Sequence, residues 1–116
     1  MRDRQEELAT FTLQRDGAPP LRFKGELLAE TRSSPDRGRG DWSGATGRWT
    51  ELRLYRTKGG KFVCQRINRT QWQGERDSFE AVVCQTENDV MEFFGWGWLA
   101  KDLYAEAGLD AAEDVA

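Results

Sequence analysis

The chain has 116 residues, 38% hydrophobic and 32% charged, with a net charge of −3 and no histidine. That length fits a single domain. The lack of histidine excludes Ser-His-Asp and Cys-His catalysis, histidine general bases and histidine metal ligands.

Residues 1–9 read as a flexible lead. The opening Met1–Leu8 is charged and has no apolar run, so it does not read as a signal peptide. Thr10–Gln14 alternates apolar and polar side chains, the pattern of a short strand. Asp16-Gly17 and Pro19-Pro20 then predict a turn, since the prolines block helix and central-strand pairing. Leu21–Thr31 is a second strand: Phe23, Gly25, Leu27 and Ala29 share one parity, Arg22, Lys24, Glu26 and Glu30 the other, with Leu28 as the exception. Residues 33–47 hold four glycines and a proline and predict a mobile Gly/Arg-rich loop.

Three further strands are predicted at Trp49–Thr57, Lys61–Asn68 and Ser78–Thr86. The tight turn Lys58-Gly59-Gly60-Lys61 joins the first two. All three carry apolar groups on both faces, so they should be central, with helices on one face and a loop or a second subunit on the other. Thr86 is placed to cap a helix whose first turn holds Glu87 and Asp89 and whose apolar side is Val90, Met91, Phe93 and Phe94. Gly95 and Gly97 break it. A second helix is expected over Trp98–Ala107, with Gly108 as its stop. Residues 109–116 read as a disordered acidic tail.

The fold expected is therefore α+β, one domain over residues 10–108. An antiparallel meander of about five strands carries two short C-terminal helices on one face. The expected core is Phe23, Leu27, Leu52, Leu54, Phe62, Val63, Ile67, Val83, Val90, Phe94, Leu99 and Leu103. Cys64 and Cys84 fall in neighbouring strands; a disulfide is open to them if they face one another, but without a secretion signal buried free thiols are the expectation. No stretch approaches the roughly 20 apolar residues of a membrane span, so a cytoplasmic protein with no membrane partner is expected.

Charge is unevenly spread. Residues 32–76 hold eleven Lys and Arg against four acids, whereas residues 77–116 hold one Lys against ten acids. Two patterns bear on function. Phe93-Phe94-Gly95-Trp96-Gly97-Trp98 packs four large aromatics into six residues, more than a short helix break can bury. Phe93, Trp96 and Trp98 are thus candidate contacts for a protein partner or for a homodimer. The competing reading is that they staple the helices to the sheet. The second pattern is a basic, aromatic centre: Trp49, Arg53, Arg56, Lys58, Lys61, Arg66, Arg69 and Trp72, with Arg37, Arg39 and Trp42 in the loop before it. Rings that stack bases beside cations that follow phosphates suit single-stranded nucleic acid. Here the competing reading is a solvated sheet face with tryptophans in the core. Glu26 and Glu30 share the exposed parity of one strand but form no facing catalytic pair. Lys58-Gly59-Gly60-Lys61 lacks the length, the hydroxyl residue and the following helix of a phosphate-binding loop. No cofactor, metal or catalytic residue is assigned.

Phe23–Glu30, Trp49–Lys61 and Trp98–Tyr104 resemble stretches of small bacterial proteins without an assigned activity, of the kind carried on plasmids, phages or integrated elements. The resemblance implies a bacterial cytosolic setting and favours a protein that binds or inhibits a host factor. The expectation is a non-enzymatic protein acting through protein–protein contacts, with single-stranded nucleic-acid binding as the alternative.

Overall fold

The computed structural model describes residues 8–33, 47–112 and 115. Most of the expected lead, the Gly/Arg-rich loop with Arg37, Arg39 and Trp42, and most of the tail's last four residues lie outside the described residues.

Five strands form one antiparallel sheet in sequential order: β1 Ala9–Leu13, β2 Leu21–Ser33, β3 Arg48–Thr57, β4 Phe62–Thr70 and β5 Ser78–Cys84. Helices α1, Glu87–Phe94, and α2, Trp98–Ala107, follow. The meander and the two helices agree with the sequence expectation, although β1 starts one residue earlier, β2 and β4 run two residues further and β5 stops two residues sooner. Gly60 at φ +90° lets the β3–β4 turn close, its N–H donating to the Thr57 carbonyl at 2.9 Å. A capping box starts α1: the Asp89 N–H donates to Thr86 Oγ1 at 3.1 Å, and the Thr86 N–H returns to Asp89 Oδ2 at 3.3 Å.

A β-bulge reorganises β2. Leu27 pairs with Tyr55 but Ala29 pairs with Leu54, so the register slips at Leu28. Side chains before the bulge and after it therefore swap faces. Leu28 was the exception to the alternation because it belongs to the slip. Phe23 and Leu27 stand on one face, and Ala29 and Thr31 on the other. Gly25 sits just before the bulge because β3 comes too close for a side chain: a Cβ there would collide with the Arg56 carbonyl oxygen and lie 3.0 Å from Thr57 Cα.

The helical face carries the larger core. Ala29, Leu52, Leu54, Phe62, Cys64 and Cys84 of the sheet meet Val90, Met91, Phe94, Ala100, Leu103 and Tyr104 of the helices. Leu109 and Ala111, in the stretch expected as a tail, pack against this cluster.

The opposite face was expected under a loop or a second subunit. Among the described residues the sheet curls over itself there. Leu13, Tyr55, Val63 and Ala81 form a second cluster, with Phe11, Leu21 and Phe23 around it. The rings of Phe11, Phe23 and Tyr55 lie 4.8–5.4 Å apart, within the range of favourable aromatic pairing. The curl brings the end of β1 to the free edge of β5. The Asp16 N–H donates to the Phe79 carbonyl at 2.9 Å, and the Phe79 N–H donates to the Asp16 carboxylate at 2.9 Å. This protects part of an edge that would otherwise invite pairing.

Leu27 and Val83, expected in the core, are 44% and 48% exposed. The bulge ends the regular ladder at Leu27, and Val83 lies on an edge strand. Phe23 and Leu99 are half-buried, and the other eight expected core residues are buried. Cys64 and Cys84 are free and buried with their sulfurs 3.7 Å apart. Burial pushes both thiols up from their ordinary pKa.

Candidate functional site

The residues expected to form one basic, aromatic surface are spread over several. Alternation along β3 and β4 puts Trp49, Arg53 and Arg69 on the curled face and Arg56 and Arg66 on the helical face. Lys58 and Lys61 lie at the β3–β4 turn. Trp72 lies in the β4–β5 loop, where the Gly47 backbone packs against its ring.

Three of these arginines are held by carboxylates. Glu51 is the centre: it is 6% exposed and opposite Ile67 in the ladder. It accepts the Trp49 indole N–H at 3.0 Å, Arg53 Nη2 at 3.1 Å and Arg69 Nε at 3.2 Å. Arg53 continues to Glu30 at 2.6 Å, and Arg69 to Asp77 at 3.1 Å. The result is an alternating row, Glu30–Arg53–Glu51–Arg69–Asp77, across the curled face. Burial pushes the Glu51 carboxyl up, but the Trp49 indole and the two guanidiniums outweigh it and hold the pKa below the ordinary value. The Thr70 N–H, followed by Arg69, lowers that of Asp77. Sequence reading missed this row, and its signal was Glu51 flanked two residues away by Trp49 and Arg53 on one strand face.

Arg66 has a different task. It bonds Glu80 at 2.9 Å and the Phe93 carbonyl at 2.6 Å, and its guanidinium lies 4.5 Å above the Phe93 ring. A cation at the end of α1 meets both an unpaired helix carbonyl and the negative end of the dipole. Arg66 thus braces the end of α1, which stops at Gly95. Phe93, a candidate contact residue, is partly buried under this cation and against Phe94, 5.1 Å away.

The other two candidate contacts differ. Trp96 is 52% exposed and Trp98 58% exposed. Trp96 packs edge-on to Tyr104 at 5.5 Å, and the Tyr104 hydroxyl donates to the Gly95 carbonyl at 2.6 Å. Burial pushes the Tyr104 phenol up to about 12, so it stays a donor at neutral pH. This bond ties α2 to the helix break. Beside Trp96 runs a groove of about 510 Å³ with Tyr104, Leu109 and Ala111 in its wall. Beside Trp98 lies a second, of about 290 Å³, with Leu52, Phe94 and Leu99.

Glu26 and Glu30 do not share a face as their spacing implied. The bulge separates them: Glu26 is opposite Arg56 on the helical face and Glu30 opposite Arg53 on the curled one. Among the described residues, no group of three or more Cys, Asp or Glu could hold a metal ion. No described helix is long and apolar enough to cross a membrane. Compared with protein-family models, curated proteins and solved structures, the chain matches none of them.

Proposed function

We propose that the protein is a non-enzymatic binding protein whose contact surface is the α1–α2 junction, with Trp96 and Trp98 as anchors. One observation carries this reading: two tryptophans, each more than half exposed, stand at a break braced by Arg66 and Tyr104, with a partly apolar groove beside each. Rigid aromatic anchors lose little conformational entropy on binding, and tryptophan is enriched among the residues that dominate interface energies. The partner is either another protein or a second copy of this chain. The resemblance to proteins of mobile elements favours a host protein as that partner.

The test compares the wild type with Trp96→Ala/Trp98→Ala in capture from bacterial lysate and in sedimentation equilibrium. The reading expects either a specific captured protein or a dimer, lost in the double variant while the melting temperature stays within a few degrees. A monomeric wild type that captures nothing dependent on these two residues would overturn it.

A further inference from the structure

A different surface collects the cations that the ion-pair row leaves over. Arg22 and Lys24 lie two residues apart on β2, before the bulge, and so on the helical face. Arg56 reaches the same face from β3, opposite Glu26. The Lys58 N–H donates to the Lys24 carbonyl at 2.8 Å, which brings the β3–β4 turn, with Lys61, to the same end of the sheet. All five side chains are exposed. The hydrogen bonds from α2 to β2 fall beyond the bulge, at Glu30 and Thr31, whereas Arg22, Lys24 and Arg56 before it stay exposed. Among the described residues, Arg22, Lys24, Lys58 and Lys61 make no ion pair, and Arg56 stacks at 4.7 Å on the Phe62 ring. Glu26, opposite Arg56, places a carboxylate on the same surface. Thr10 and Thr12, opposite Lys24 and Arg22 in the ladder, add two exposed hydroxyls on the same side.

We propose that this end of the sheet docks the phosphodiester backbone of a nucleic acid, held by Arg22, Lys24, Arg56, Lys58 and Lys61. Protein interfaces are depleted in lysine and are built around aromatic or apolar anchors. Among the described residues this patch has three lysines and no exposed ring. Phosphate contacts need cations and hydroxyls alone, and they carry position rather than sequence. The mode therefore differs from base stacking on a basic sheet, and it does not depend on the surface at Trp96 and Trp98.

Fluorescence anisotropy of a labelled 20-mer, duplex and single-stranded, over a salt series tests the proposal. Five phosphate contacts give a log–log salt slope of about −4 to −5 on duplex, or on the order of several hundred-fold between 50 and 200 mM. Lys24→Glu/Lys58→Glu should weaken binding at least about tenfold at low salt with an unchanged melting curve, since neither lysine holds the fold. Arg76→Glu, a charge reversal in the exposed β4–β5 loop, should stay within about twofold. No binding at 20 mM salt (a flat trace at about that concentration) would overturn the proposal. So would binding indifferent to the double reversal, or equal affinity for poly-glutamate, which would mark an acidic protein as the ligand.

Discussion

Replacing Glu51 with Gln asks whether the row of ion pairs is structural. Gln keeps the size of the side chain and an oxygen for the Trp49 indole, but removes the charge shared by Arg53 and Arg69. Glu51 is 6% exposed, whereas the Arg53 and Arg69 side chains are 25% and 31% exposed. Water thus screens one side of each pair. The loss should resemble that of hydrogen bonds to a charged group rather than of a fully buried pair, about 2 kcal/mol. For a chain of this size that is roughly 8 °C in melting temperature. The dependence on pH has a definite sign. The folded pKa of Glu51 lies below its unfolded value, so its contribution is complete above the ordinary carboxylate range and is lost as pH falls through the lowered folded value. Thermal melts of both proteins at pH 7 and about pH 3 should show a gap that narrows in acid. A Glu51→Gln protein that melts with the wild type at pH 7, or a gap that stays constant into acid, would refute the reasoning.

Gly25→Ala should destabilise by about 2 kcal/mol or more, because the added methyl meets backbone rather than a side chain that can turn away. Faster amide exchange along β2 and β3 is the local readout. Thr86→Ala should cost about 1 kcal/mol in urea denaturation by removing the cap of α1. Tyr104→Phe loses the hydrogen bond to the Gly95 carbonyl and should cost about 1 kcal/mol, with a shift in Trp96 emission. Cys64 and Cys84 should resist an aromatic disulfide reagent in the native protein at pH 8 and react promptly in urea, because burial disfavours both thiolates. Prompt native labelling would contradict the buried geometry.

Local signals explain how much of this fold is legible in the chain. Thr86 with Asp89, the glycine pair at the β3–β4 turn, and the stops at Gly95 and Gly108 each act over a few residues. The helices and strand order follow from them. The curl was not legible, because it depends on Asp16 and Phe79, far apart in sequence, and on a one-residue slip whose trace was Leu28 breaking the alternation. The pairing within the basic centre was not legible for a related reason. Glu30, Glu51 and Asp77 are scattered along the chain, so a running charge count could not show that they sit beside Arg53 and Arg69. Arg22 and Lys24 lie in residues 1–31, where five cations face six acids, which hid their position beside Lys58. At the helix break, counting aromatics grouped Trp96 and Trp98 with Phe93 and could not show that Phe93 alone is partly buried, since the Arg66 that covers it comes from a distant strand.

The account's central claim is that the surface at Trp96 and Trp98 is where this protein meets its partner. The most direct measurement places a photo-crosslinking amino acid at position 98 in cells, with a matched protein carrying it at position 71 in the β4–β5 loop. The account predicts one dominant adduct from position 98, absent from position 71 and lost when Trp96→Ala is added. The same adducts from both positions, or none from position 98, would contradict it.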